Sequence, residues 1–92
     1  MIKILKLLNE LGIKIADKWS VRGQYDNKIH NYCSFKHKKI EYAVSTSGTS
    51  YIFSKLEKGK WMPTYIYEGY SFEELEKAIR KEVGDERVQD KR

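Results

Sequence analysis

Residues 29–67 decide the fold, and they read IHNYCSFKHKKIEYAVSTSGTSYIFSKLEKGKWMPTYIY. Within this stretch, β-branched and aromatic residues recur in four short runs with period-two alternation, which is typical of half-buried strands. The runs are residues 29–36, 39–46, 50–56 and 61–67. Because short polar or glycine-bearing connections separate them, we predict that consecutive strands pair as antiparallel hairpins and form a meander.

Helical patterns flank the predicted strands on both sides. Residues 2–11 place apolar side chains on one stripe at helical spacing. Ser71 and Glu74 form an S-x-x-E capping box that predicts the start of a second helix, and Gly84 is a suitable end for it. Residues 13–21 alternate in a way that allows one additional strand.

The chain has 92 residues, which suits one small domain with a modest core. We predict a single α+β domain over residues 1–84, with a mostly antiparallel sheet of four or five strands and both helices on one sheet face. Residues 85–92 are expected to form a charged, disordered tail. Cys33 is the single cysteine, so no intramolecular disulfide can form, and we expect a cytoplasmic protein that does not enter membranes.

The strands of the meander present two faces, which we assign by alternation with residues 47–49 as the central turn. One face is expected to be the floor for the helices and contains Ile40, Tyr42, Val44, Ile52, Leu56, Met62 and Ile66. The other face is expected to be aromatic and contains Tyr51, Phe53, Lys55, Trp61, Tyr65 and Tyr67. Three interpretations of the aromatic face remain open: ordinary core covered by residues 13–21, a stacking surface for unpaired bases, or a protein interface.

The net charge of +5 favours a polyanionic partner. Alternate turns of a meander lie at the same end of the sheet, so two lysine-bearing turns should meet there. The candidate phosphate contacts are Lys36, Lys38, Lys39, Lys58 and Lys60, and the candidate stacking groups are Tyr51, Phe53, Trp61, Tyr65 and Tyr67. The leading hypothesis is therefore a small non-enzymatic module that binds RNA or DNA.

Two other functions remain open. The first is a protein-interaction or inhibitor module that uses the aromatic face, for instance in a homodimer or as a phage or mobile-element accessory protein that inhibits a host defence nuclease; no motif marks that origin. The second is a small toxin-type ribonuclease that uses His30, His37 and the neighbouring lysines. No catalytic residue, cofactor or metal site is assigned, because no catalytic motif is visible and His30, Cys33 and His37 have poor spacing for zinc.

The order helix, strands, helix resembles that of the double-stranded-RNA-binding domain. That family places a lysine cluster at the start of its second helix, whereas this chain has Ser71-Phe72-Glu73-Glu74-Leu75 there. Residues 4–14 followed by strands are loosely similar to the HicA-type mRNA interferases, but the Gly-Ser-His signature of their catalytic histidine is absent. Neither resemblance assigns a residue in this chain.

Overall fold

Seven elements follow one another along residues 1–84, the part of the chain that the computed structural model describes. They are α1 (Ile2–Glu10), β1 (Ile15–Arg22), β2 (Ile29–His37), β3 (Ile40–Ser47), β4 (Ser50–Leu56), β5 (Thr64–Gly69) and α2 (Phe72–Glu82). Each strand pairs antiparallel with its neighbours in chain order, so the sheet is a five-stranded meander. The predicted α+β fold with two flanking helices is confirmed. The predicted tail, 85–92, lies outside the described residues.

The last strand begins later than predicted. We expected it to cover residues 61–67, whereas β5 begins at Thr64. Pro63 stands directly before it, and a proline has no N–H for the hydrogen-bonded ladder. Trp61 and Met62 consequently lie in the β4–β5 loop, residues 57–63, rather than on the sheet.

Both helices cover the same face of the sheet. Ile4 and Leu8 of α1 belong to one buried cluster with Leu75 and Ile79 of α2 and with the strand residues Cys33, Phe35, Tyr42, Val44 and Phe53. On the strands, the rings of Phe35, Tyr42 and Phe53 form a stacked row at centroid distances of 5.1 and 5.6 Å. Neither helix has the length and the apolar character required to cross a bilayer. Within residues 1–84, no helix packs on the other side of the sheet, and we call that side the open face.

α2 begins where the capping box predicts, and Tyr67 attaches this start to the sheet. The Ser71 hydroxyl accepts a hydrogen bond from the Glu74 N–H at 3.2 Å. The Tyr67 hydroxyl accepts a hydrogen bond from the Ser71 N–H at 3.0 Å and donates one to the Ser71 carbonyl at 3.2 Å. Tyr67 therefore ties the last strand to the first turn of the helix.

The predicted division of residues between the two faces is wrong, because the β3–β4 turn is one residue shorter than assumed. Ser47 pairs with Ser50, which leaves a two-residue turn. Val44 consequently pairs with Phe53, so these two side chains share a face, whereas the predicted turn would have paired Val44 with Ile52. A shift of one residue moves every side chain of a strand to the other face. Tyr51, Phe53 and Tyr67 thus share the helix-covered face with Tyr42 and Val44, whereas Ile52 and Leu56 lie on the open face.

Candidate functional site

Three of the five aromatic residues predicted to stack on bases lie on the helix-covered face. Phe53 is fully buried, with the ring of Tyr42 stacked 5.6 Å away. Tyr51 meets the ring of Phe72 edge-on at a centroid distance of 5.9 Å. Tyr67 holds the start of α2 through the two hydrogen bonds described above. These rings serve the core and the packing of α2, so the predicted stacking platform does not include them.

Trp61 and Tyr65 are the two predicted stacking residues that remain exposed. Trp61 lies in the β4–β5 loop with 88% of its surface exposed. Tyr65 is 63% exposed and pairs with Ser54, which directs it to the open face. Tyr65 is therefore accessible on the open face, and Trp61 is accessible in the loop at the lysine-bearing end of the sheet.

The predicted lysine side chains share one end of the sheet. The β2–β3 turn and the β4–β5 loop lie at this end because the strands form a meander. The residues concerned are Lys36, Lys38, Lys39, Lys58 and Lys60, all exposed, and within residues 1–84 none of them forms an ion pair. Lys38 and Lys39 both have positive φ angles, 52° and 70°, as a two-residue hairpin turn of this kind requires. We call these five residues the lysine rim.

Features near the lysine rim reduce its attraction for anions. Both helices end at this end of the sheet, since the residues that follow α1 and α2 line one depression together with Lys36 and His37. Helix C-termini carry partial negative charge. Glu57 and Glu82 flank Lys55 at 3.4 and 3.6 Å, and Glu82 is the main reason that the pKa of Lys55 is raised. The rim is therefore basic but mixed with acidic groups.

A row of small residues crosses the open face at right angles to the strands. The pairing places Asp17, Ser34, Ala43, Ser54 and Tyr65 side by side, one from each strand from β1 to β5. The three central members have small side chains, so the sheet surface is low along the middle of the row. The result is a groove rather than a flat face.

Aromatic and proline side chains stand at the two ends of this groove. At the β1–β2 end, the rings of Trp19 and Tyr32 stack nearly parallel, with centroids 5.2 Å apart and an interplanar angle of 2°. At the β5 end, Pro63 and Tyr65 provide the other wall. Two depressions of about 380 and 200 Å³ share Ala43, Ser54 and Pro63 and so adjoin. We define the open-face groove by Trp19, Tyr32, Ser34, Ala43, Ser45, Ser54, Pro63 and Tyr65.

Three serine hydroxyls form the floor of the open-face groove. Ser34, Ser45 and Ser54 expose only 6%, 8% and 9% of their surfaces, yet all three line the depressions. Within the described residues their hydroxyls make no hydrogen bond. Their hydroxyl oxygens reach the groove, since the buried side-chain polar atoms without a partner among the described residues are His37 Nε2 and Ser47 Oγ. These side chains consequently present unused donors and acceptors to whatever enters the groove.

The charged groups in the groove are acidic, although the chain as a whole is basic. Asp17 and Glu41 both line the larger depression. The Asp17 carboxylate accepts a hydrogen bond from the Lys18 N–H at 2.9 Å. Within residues 1–84 neither carboxylate forms an ion pair. The groove thus has the opposite charge to the lysine rim.

The histidines and the cysteine considered at the sequence level lie in separate surroundings. The His30 Nε2 lies 3.1 Å from the Asp26 carboxylate, and the pKa of Asp26 is lowered, chiefly by a hydrogen bond from the Lys28 N–H. His37 is seven residues further along the same strand, which corresponds to about 23 Å. The two histidines therefore cannot act together on one phosphodiester. Among residues 1–84 no group of three or more metal-ligating side chains lies together.

Sequence reasoning missed Trp19, Tyr32 and the three serines. Comparison of the chain with protein-family models, with curated proteins and with solved structures gives no match. A signal for the groove was present in the alternation Tyr32-Ser34-Lys36 of β2, which places a polar strand face beside the small residues of β3. This pattern indicates a groove only once the register of β3 and β4 is known, because the register places the small residues of three strands side by side.

Proposed function

We propose that the protein is a binding module that holds an extended segment of another protein in the open-face groove. The observation that carries the proposal is the groove floor. Three largely buried serine side chains present hydroxyls that make no hydrogen bond within the described residues, and they lie between the Trp19–Tyr32 stack and the wall of Pro63 and Tyr65. An extended backbone supplies both N–H donors and C=O acceptors, which hydroxyls can pair with. Its side chains would reach the rings at both ends, as aromatic groups at protein interfaces commonly do.

The dimensions of the groove suit such a segment. Five strands at about 4.8 Å spacing make the row from Asp17 to Tyr65 roughly 19 Å long, a distance that about six extended residues cover. The combined depressions are large enough for several side chains. A short linear stretch of a partner therefore fits the groove better than a broad flat surface does.

The charge of the groove favours a partner segment with cationic groups. Asp17 and Glu41 would repel the phosphates of a nucleic acid laid across the same face. In a face-to-face dimer of this chain, the carboxylates of both copies would lie in one interface and repel each other. Charge complementarity thus selects a different protein with a basic segment.

The proposal can be tested with peptides selected from a random display library on the immobilised protein. We expect selected peptides to bind at least tenfold more weakly to Ala43→Leu, because the new side chain fills the groove floor without removing a core contact. Asn9→Leu on the exposed side of α1 is the matched control and should bind normally. Isothermal titration calorimetry gives the affinities. Peptides that bind both variants equally, or a selection that enriches no peptide, would contradict the proposal. If light scattering shows that the protein dimerises and that Ala43→Leu abolishes the dimer, the groove would instead bind a second copy of the chain.

Nucleic-acid binding at the lysine rim is the second candidate. It is favoured by the convergence of two lysine-bearing connections at one end of the sheet and by the exposed ring of Trp61 directly after Lys60. Of the predicted stacking residues, this candidate keeps Trp61 and Tyr65. Binding of this kind would fall steeply with salt, since released counterions contribute to it.

A salt titration with short RNA, single-stranded DNA and duplex DNA tests the second candidate. The variant Lys38→Glu with Lys58→Glu should abolish retention, whereas Lys28→Glu at the opposite end of the sheet should not. Equal retention by both variants, or an absence of binding at low salt, would remove nucleic acid from consideration.

We also propose the reducing cytoplasm as the location of the protein. Cys33 is fully buried, and burial raises the pKa of its thiol to about 11. A thiol of this kind packs as a small apolar group and reacts slowly.

A further inference from the structure

The larger depression of the open-face groove combines three features at its β1 end. Asp17 of β1 and Glu41 of β3 contribute carboxylates that lack an ion-pair partner within residues 1–84. Ser34 of β2, the strand between β1 and β3, lies directly opposite Asp17, and the next residue on the same face of β2, Lys36, lies opposite Glu41. Trp19 lines the same depression of about 380 Å³. Negative charge, hydroxyl acceptors and an aromatic ring therefore surround one space.

The aromatic part of this space is prearranged. One side of the Trp19 indole is covered by the Tyr32 ring in a nearly parallel stack. The stack fixes the orientation of the indole while Trp19 remains exposed. A planar cation can lie against an aromatic face and gain from the ring quadrupole.

The serine hydroxyls add directional acceptors. Ser34 and Ser54 are more than nine-tenths buried, line this depression, and make no hydrogen bond within the described residues. A ligand that carries several N–H donors in one plane can satisfy a carboxylate and a hydroxyl at once. Two carboxylates alone would accept any cation, so the hydroxyls and the indole determine which cation fits best.

We propose that the β1 end of the open-face groove binds an arginine side chain of the partner segment, an assignment that rests on the function proposed above. The guanidinium pairs with Asp17 and Glu41, donates to Ser34 and lies against Trp19. Arginine fits better than lysine because its planar group has five N–H donors and stacks on aromatic rings, whereas an ammonium is a strongly hydrated point charge. Lys36 lies opposite Glu41 on the neighbouring strand and competes for that carboxylate, which leaves Asp17 as the main anchor.

The test uses blocked amino acids that do not depend on a selected partner. Acetyl-arginine-methylamide, acetyl-lysine-methylamide and acetyl-citrulline-methylamide are titrated into the Trp61→Phe protein, so that the fluorescence reports on Trp19 alone, the remaining tryptophan. We expect saturable quenching with the arginine probe, binding at least threefold weaker with the lysine probe, and none with the neutral citrulline probe at the same concentrations.

Two further measurements separate a specific site from general attraction to a basic probe. Asp17→Asn should weaken the arginine probe about tenfold, which is the order expected for a charge-assisted hydrogen bond. Glu73→Gln on the exposed side of α2 should change nothing. In the unsubstituted groove, backbone amide shifts in NMR should move for Ser34 and Ala43 and not for residues of α1.

The outcomes distinguish this inference from the proposed function. Equal binding of the arginine and citrulline probes, or unchanged binding to Asp17→Asn, overturns the arginine site. If peptides selected in the display experiment lose binding to Ala43→Leu but contain no arginine, the groove still binds protein and only the arginine assignment fails. If no peptide is selected but the arginine probe binds with the expected preferences, the site stands and the extended-segment function falls.

Discussion

Replacement of Phe53 by alanine tests the assignment of the two sheet faces. Phe53 is fully buried and stacks within reach of both Phe35 and Tyr42, at centroid distances of 6.5 and 5.6 Å. Truncation of a buried phenylalanine costs about 3–5 kcal/mol, from lost burial and from the cavity left behind. A chain of 92 residues has a free energy of unfolding of roughly 5–14 kcal/mol, so the variant would lose a large share of its stability.

The assay is urea denaturation followed by far-ultraviolet circular dichroism. With a slope of about 2 kcal/mol per molar urea, the midpoint for Phe53→Ala should fall by roughly 2 M. Ile52→Ala on the open face is the adjacent control and should cost about 1 kcal/mol or less, because Ile52 is only partly buried. Trp61→Ala should change stability by no more than about 0.5 kcal/mol.

The reverse order of these effects would refute the assignment. If Ile52→Ala were more destabilising than Phe53→Ala, the two faces of β4 would be exchanged. The turn between β3 and β4 would then contain the three residues 47–49, and Ser45 and Ser54 would not lie together on the open face.

Two other predictions concern the core and the helix cap. Burial raises the pKa of the Cys33 thiol from 9.0 to about 11, so the unfolded state loses this proton at a lower pH than the folded state does. The free energy of unfolding should therefore fall by about 2 kcal/mol as the pH rises from 9 to 11, and Cys33→Val should remove most of that fall. Urea denaturation at several pH values measures it, and an unchanged pH dependence in the variant would count against the burial of the thiol. Tyr67→Phe should lower the free energy of unfolding by about 1–2 kcal/mol, since both hydrogen bonds to Ser71 are lost. Amide hydrogen exchange should become faster in the first turn of α2. An exchange rate equal to wild type would mean that the cap does not depend on Tyr67.

Local signals in the sequence were sufficient for the elements and their order. The capping box at Ser71 located the start of α2, and period-two alternation located the strands. The assignment of faces failed because it depends on whether the turn after β3 has two or three residues. The sequence around Gly48 is compatible with both turn lengths. The effect of one residue in a turn extends along the whole strand.

The groove was not predictable from single residues. Ser34, Ser45 and Ser54 each occupy an ordinary outward position of a strand, and their significance arises from their adjacency across three strands. Trp19 and Tyr32 were similarly hidden, because their stacking depends on the register between β1 and β2. The lysine rim was easier, since it required only the order of the turns.

The placement of the groove on the side of the sheet without helices has a consequence for how this protein can change over evolutionary time. Apart from Pro63, its floor and walls come from alternate positions of the strands, while the intervening positions pack against the helices. Substitutions at Ala43 or Ser54 would therefore change the shape of the proposed binding groove with little effect on the helix-covered core. In the proposed binding module, partner preference and the stability of the scaffold would therefore depend on different residues.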